Sequence, residues 1–236
     1  MSSTDQAASV PEHTAGLANL FDCANLAERS LGIAAAIDAV ERGDLIVMPT
    51  DTVYGIGANA FNDVAVTQLL AAKRRGRNMP VPVLVGSRRA VDGLVVSLPS
   101  AARDLMAAFW PGGLTIVVQQ APSLAWDLGD TDGTVAVRMP LHPVALEVLA
   151  ATGPMAVSSA NISGQAPAAT AALGQQQFGS VVSVYLEAGP SDDATPSSIV
   201  DVTADEPTLL RLGAISIDKL REVLPSLRVP MGDAAQ

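Results

Sequence analysis

The chain has 236 residues, 49 % of them hydrophobic and only 16 % charged, which suits one large folded domain or two small ones and not a disordered chain. Its formal charge of −10 and aromatic content of 3 % argue against a broad nucleic-acid face. One cysteine, Cys23, and two histidines, His13 and His142, rule against an intrachain disulfide and a Cys/His metal site, so no protein-held metal is expected.

Residues 1–20 lack a basic stretch followed by an apolar one, so they read as a flexible leader and not a secretory signal. No uncharged apolar run reaches the roughly 18 residues of a membrane span, and a cytoplasmic setting is expected. The Ala-rich segment 26–42 has helical spacing and ends at Gly43; LIVMPT (45–50) reads as a buried strand. The run PTDTVYGIG (49–57) then reads as a strand-end loop. Its Thr50, Thr52 and Tyr54 hydroxyls either orient a small polar ligand or satisfy their own backbone.

Asn62 or Asp63 is expected to cap a helix reaching about Arg75, with Gly76 as its stop. That helix ends in KRRGR, which places four of the chain's fourteen Lys and Arg residues at Lys73, Arg74, Arg75 and Arg77. A cation at a helix C-terminus interacts favourably with the dipole, but four in five positions point to a bound anion. Lys73 and Arg75 can converge on one anion only if the helix ends between them.

A strand over 81–86 and a helix near 99–108 follow, then strands LTIVVQ (114–119) and TVAVRMP (134–140), with WPGG (110–113) as a turn or a site of close backbone approach. Arg138 lies in an apolar strand, so it needs either an anionic ligand or an internal carboxylate; Arg211 in TLLRLGA (208–214) poses the same question. A helix over 142–151 precedes PMAVSSA (154–160), and SSANISG (158–164) is either a phosphate cradle or an Asx-type turn. A helix near 168–178, strands at 181–189, 198–203 and 208–214, and a helix at 216–224 complete an α/β pattern with a partly antiparallel sheet. No linker divides the chain, so one domain over 21–225 is expected, with a flexible tail at 226–236. GxSxG, GxGxxG, P-loop and HExxH patterns are absent, which leaves chemistry by positioning and charge, such as phosphoryl or nucleotidyl transfer.

Taken in order, PTDTVYG, the K-x-R of Lys73 and Arg75 with Pro80, WPGGLT, VAVRMPLHP, the S-x-N of Ser159 and Asn161, PSSIVD and LRLGAIS resemble the YrdC-like family of threonylcarbamoyl-AMP synthases over about 30–215. The resemblance implies an open twisted α/β sheet around a positively lined concave cavity. It implies an enzyme that joins L-threonine, bicarbonate or CO2 and ATP into threonylcarbamoyl-adenylate, releasing pyrophosphate, with Mg2+ accompanying ATP. The product would feed a separate tRNA threonylcarbamoyl-transferase complex acting at position 37. By the same resemblance, Thr52, Arg138 and Ser197 meet threonine, while Lys73, Arg75, Met79, Thr134, Ser159, Asn161 and Arg211 surround ATP, with Lys73 and Arg75 as the catalytic cations. Gly76 stands where a proline often follows the K-x-R, Leu84 where some relatives place a threonine-contacting histidine, and Ser198 for a frequent threonine. Two other readings are a non-catalytic RNA-binding module of this fold, with weak RNA contact, and a carbamoyl-adenylate enzyme of hydrogenase maturation, which would need domains this chain lacks.

Overall fold

Four of the six α-helices described start where a short polar side chain receives the first free N–H groups; the two that follow Pro99 and His142 have no such side-chain bond. The Asn25 carboxamide accepts from Ala27 and Glu28, Asn62 from Ala65, Thr170 from Leu173 and Ser216 from Lys219. The resulting helices are α1 (Leu26–Arg42), α2 (Asp63–Ala72), α3 (Ser100–Phe109), α4 (Pro143–Thr152), α5 (Ala171–Phe178) and α6 (Ile217–Val223). The structure is a computed structural model that describes residues 19–191 and 195–230. The leader expected over 1–20 lies outside the described residues as far as 18, and so does the tail from 231 onward.

Ten strands form one sheet: β1 (Leu20–Asp22), β2 (Ile46–Met48), β3 (Gly55–Asn59), β4 (Val83–Leu84), β5 (Leu114–Gln119), β6 (Thr134–Arg138), β7 (Met155–Ser159), β8 (Val184–Glu187), β9 (Ser198–Asp201) and β10 (Thr208–Arg211). Their order is β1-β8-β2-β3-β7-β4-β6-β5-β9-β10. The β1/β8, β8/β2, β4/β6 and β5/β9 pairs are parallel and the other five antiparallel, so the sheet is mixed.

Side-chain alternation splits the core into two layers. Val47, Ile56, Val83, Leu114, Ile116, Val137 and Val200 face α2, α3, α5 and α6. Ile46, Met48, Leu84, Met155 and Val157 face α1 and α4 on the opposite side. None of the second cluster's residues comes from β6, β5, β9 or β10. That half of the sheet is uncovered on one face, and there the cavity forms.

Three expectations need correction. The loop expected over 49–57 ends before Gly55, because Gly55–Asn59 is a buried central strand: Gly55 and Gly57 carry no side chain because Val157 of the neighbouring strand lies over them. Leu20, the last residue of the expected leader, opens strand β1, which pairs with β8. The fold also runs past 225, because Leu227 is buried and Arg228 exchanges backbone bonds with Leu209 and Pro207, each of 2.9 Å.

Candidate active site

On the uncovered half, alternate residues of adjacent strands, Thr115 and Val117, Ala136 and Arg138, and Ile199, make the floor of a cavity of about 390 Å³. Its walls are the loops that leave the strand ends: PTDT (49–52), the turn after α2, the start of SSANISG and the backbone at 196–197.

The turn after α2 explains how two cations two residues apart both turn inward. The helix ends at Ala72, and Arg74 takes a left-handed conformation with φ of 52°. The Arg74 N–H bonds Ala71 O and the Arg75 N–H bonds Leu70 O, both at 2.9 Å, which is the Schellman arrangement. The stop is therefore Arg74 and not the expected Gly76, and a non-glycine residue bears the left-handed strain, worth about 1 kcal/mol. The reversal separates the basic run. Lys73 is buried and Arg75 half-buried, whereas Arg74 is exposed and Arg77 forms a surface fork with Asp127 at 2.7 and 2.8 Å.

Lys73 joins this turn to the SSANISG loop. Its ammonium donates to the carbonyls of Ser159 and Asn161, the latter at 2.7 Å, and its own carbonyl accepts from the Ser163 N–H at 3.0 Å. Burial first, and then repulsion from Arg75, pushes its amine down to about 8. Arg75 donates to Ser158 Oγ at 3.0 Å and to Pro80 O at 3.2 Å, and its buried Nε has no partner. Across the floor, Arg211 donates from Nε to Ser197 O at 3.0 Å and from Nη2 to Ser197 Oγ at 3.1 Å. Burial, then Arg138 and Arg75, lowers its pKa. Gly213 permits this docking, because a side chain there would lie 2.6 Å from the Ser197 carbonyl carbon. Among the described residues, no carboxylate lies within ion-pair distance of Lys73, Arg75 or Arg211.

Arg138 differs. It is buried and bonded three ways: Nε to Gly112 O at 2.9 Å, Nη1 to Thr52 Oγ1 at 2.9 Å, and Nη2 to Asp51 Oδ1 at 2.7 Å. Burial lowers its pKa and Asp51 opposes that shift. The internal carboxylate partner therefore exists, yet one N–H on each terminal nitrogen stays available for a second anion.

Thr52, Arg75, Arg138, Ser159, Ser197 and Arg211 all line the cavity. Lys73 and Asn161 lie just behind the lining. Asn161 turns its amide nitrogen to Ile162 O and Gln165 O, at 3.1 and 2.8 Å, leaving a buried Oδ1 unpartnered. Thr134 shares the strand face of Ala136 and Arg138 one step farther out, and its hydroxyl donates to Thr131 O. Met79 is 49 % exposed and outside the lining. The Tyr54 hydroxyl does not orient a ligand, because it is held among Glu187, Gly189 O and the Ala188 N–H. Leu84 lines the cavity as an apolar residue.

Two residues were not singled out for the site from sequence: Asp51 on Arg138, and buried Thr115, which bonds Ser197 Oγ at 2.8 Å; Ser158, from the candidate cradle SSANISG, accepts from Arg75. Thr115 carried a signal, as the polar residue alternating with Leu114 and Ile116 in a buried strand. His142 sits at the α4 N-cap position, half-buried and out of the lining.

An open mixed sheet with a cation-lined cavity on its uncovered half defines an α/β domain whose cavity suits anionic ligands. The Sua5/YciO/YrdC family model, described as "Telomere recombination", matches residues 38–213. A Mycobacterium tuberculosis protein, provisionally named threonylcarbamoyl-AMP synthase, is 58 % identical over 86 % of this chain and 94 % of its own length. The Bacillus subtilis threonylcarbamoyl-AMP synthase is 34 % identical over 85 % of this chain and 58 % of its own. The crystal structure of Pyrococcus abyssi Sua5 complexed with L-threonine superposes with a TM-score of 0.81 at 31 % identity, over 86 % of this chain and 61 % of that one. The chain thus spans about three fifths of the length of these last two proteins. It belongs to the Sua5/YciO/YrdC family.

Proposed function

We propose that the chain is a threonylcarbamoyl-AMP synthase, a nucleotidyltransferase that converts L-threonine, bicarbonate or CO2 and ATP into threonylcarbamoyl-adenylate and pyrophosphate. The observation that carries this reading is one cavity with two cationic ends of different character. Arg138, already balanced by Asp51, has two N–H groups left and suits a single carboxylate. Lys73, Arg75 and Arg211, with no carboxylate of their own, suit a polyphosphate. The names of the family members above, and the L-threonine in the Pyrococcus complex, support the assignment.

In this reading the threonine carboxylate is held by Arg138, with Thr52 and Ser197 beside it. The amine adds to CO2 and loses a proton, giving an N-carboxylate. One of its oxygens attacks the α-phosphorus of ATP while the in-line bond from that phosphorus to the α,β-bridging oxygen breaks, and the β- and γ-phosphates leave as pyrophosphate. Lys73, Arg75 and Arg211 stabilise the charge that develops on the phosphates, and Ser159 and Asn161 shape the loop beneath them. Mg2+ enters with ATP as part of the substrate, held by phosphate and water. The described residues contain no group of three or more His, Cys, Asp or Glu side chains to cage it, and Asp51 is engaged by Arg138. No helix of the described residues is long and apolar enough to cross a membrane. In this reading the enzyme is cytoplasmic and its adenylate passes to a tRNA-modifying transferase.

Purified chain supplied with ATP, Mg2+ and labelled bicarbonate is expected to release pyrophosphate only when L-threonine is present, with the label recovered in an adenylate by mass spectrometry. Equal pyrophosphate release with and without threonine contradicts the assignment.

A further inference from the structure

At the threonine end, two residues touch the binding groups beyond the set expected to meet threonine: Asp51, and Thr50, whose hydroxyl the sequence offered either to a ligand or to its own backbone. Asp51 Oδ1 accepts from Arg138 Nη2 at 2.7 Å and from the Leu141 N–H at 2.8 Å, so one oxygen ties the guanidinium to the loop between β6 and α4. Thr50 Oγ1 lies 2.6 Å from Val53 O, 3.1 Å from Thr52 Oγ1 and 3.2 Å from the Thr52 N.

Counting protons fixes the direction of this chain. A carbonyl only accepts, so the single Thr50 hydroxyl proton goes to Val53 O. Thr50 Oγ1 must then accept, and the Thr52 hydroxyl proton points at it. Thr52 Oγ1 in turn accepts from Arg138 Nη1 at 2.9 Å. Thr52 has no proton left to give and one lone pair to offer, while Arg138 keeps one N–H on each terminal nitrogen.

We propose that Asp51 and Thr50 are positioning residues that set the hydrogen-bond polarity of the threonine end before the amino acid arrives. Asp51 holds the Arg138 fork open towards the cavity for a carboxylate. Thr50 makes Thr52 an acceptor, which selects an N–H or O–H donor on the incoming molecule. An α-amino acid with a β-hydroxyl carries both complements, a carboxylate and such donors. The inference rests on the reading that Arg138 and Thr52 receive the amino acid.

The test compares D51A, D51N, T50V and T50S with wild type in pyrophosphate release, with KM measured separately for threonine and ATP and folding followed by circular dichroism. D51A is expected to raise the threonine KM about tenfold or more while the ATP KM stays within about threefold. D51N should return the threonine KM to within about threefold of wild type, since its amide oxygen can accept the same two bonds and no negative charge then opposes the substrate. T50V should raise the threonine KM by about three- to tenfold, and T50S should restore it. If D51A does not fold, D51E carries the test by displacing the carboxylate one methylene, and it too should raise the threonine KM alone. Folded D51A (or D51E) and T50V with unchanged threonine KM overturn the proposal, as does an equal rise in both KM values. Wild type without threonine-dependent turnover overturns the synthase reading and this inference with it, whereas an active wild type with indifferent variants overturns this inference alone.

Discussion

The two ends of the cavity hold their cations in opposite ways. Arg138 is surrounded before any ligand binds: Asp51 balances its charge, and Gly112 and Thr52 take two further N–H groups. Lys73, Arg75 and Arg211 sit within reach of one another's fields with carbonyls and hydroxyls as partners, and Arg75 Nε and Asn161 Oδ1 lack partners altogether. A completed site holds its shape without substrate. An uncompensated one stores repulsion that a polyanion relieves, so the phosphate end is where ligand binding should stabilise the fold most.

The largest expected effect breaks the completed end. R138A removes a buried guanidinium, leaves its space empty and strands the Gly112 carbonyl and Asp51 Oδ1, which should cost about 3–5 kcal/mol of stability, read by urea unfolding. A loss below about 1 kcal/mol would mean that the Asp51 pair contributes little to holding the cavity.

Next is Lys73 at the uncompensated end. The resemblance gives it a role towards ATP, but its ammonium also satisfies the Ser159 and Asn161 carbonyls. K73A should therefore cost about 2–3 kcal/mol in addition to losing turnover, measured by the same unfolding experiment. Wild-type stability with lost turnover would restore the purely ligand-facing role.

The pH dependence sharpens the contrast. Burial, then Arg75, pushes the Lys73 amine down to about 8 from an ordinary 10.5. Between those values the unfolded chain binds more protons, so Lys73 favours folding increasingly as pH rises. Pyrophosphate binding needs the ammonium and should move the other way, weakening by up to about tenfold per pH unit above that point in calorimetry. R75Q should shift the break to higher pH, and a break that stays in place would remove Arg75 as its cause.

The smallest effect concerns the turn that presents both cations. R74G relieves a left-handed non-glycine residue and should raise stability by up to about 1 kcal/mol in thermal unfolding, with activity unchanged because Arg74 points to solvent. A destabilised R74G would show that the side chain contributes more than its backbone costs.

Much of this was legible in the sequence for identifiable reasons. Helix α1 follows from its apolar spacing and Gly43, and β5 and β6 from short apolar runs between turn residues. The site residues sit at strand ends in dense polar runs, where side chains leave the sheet together. Strand β3 was hidden because GIGAN has no alternation; burial between β2 and β7 makes it a strand, and its glycines reflect a neighbour's side chain. The turn at Arg74 was hidden because a nearby glycine offered the more ordinary stop. For Arg138, sequence left a ligand and an internal carboxylate as alternatives, and the structure leaves room for both. Asp51 stood in the quoted motif, but nothing in one dimension links it to a residue 87 positions away.

The division of the cavity is tested most directly by separate KM values for threonine and ATP in R138Q and R211Q, followed through pyrophosphate release. R138Q should raise the threonine KM at least about tenfold with little change for ATP, and R211Q should do the reverse. Both variants raising the same KM, or each raising both equally, would contradict a cavity built with one carboxylate end and one phosphate end.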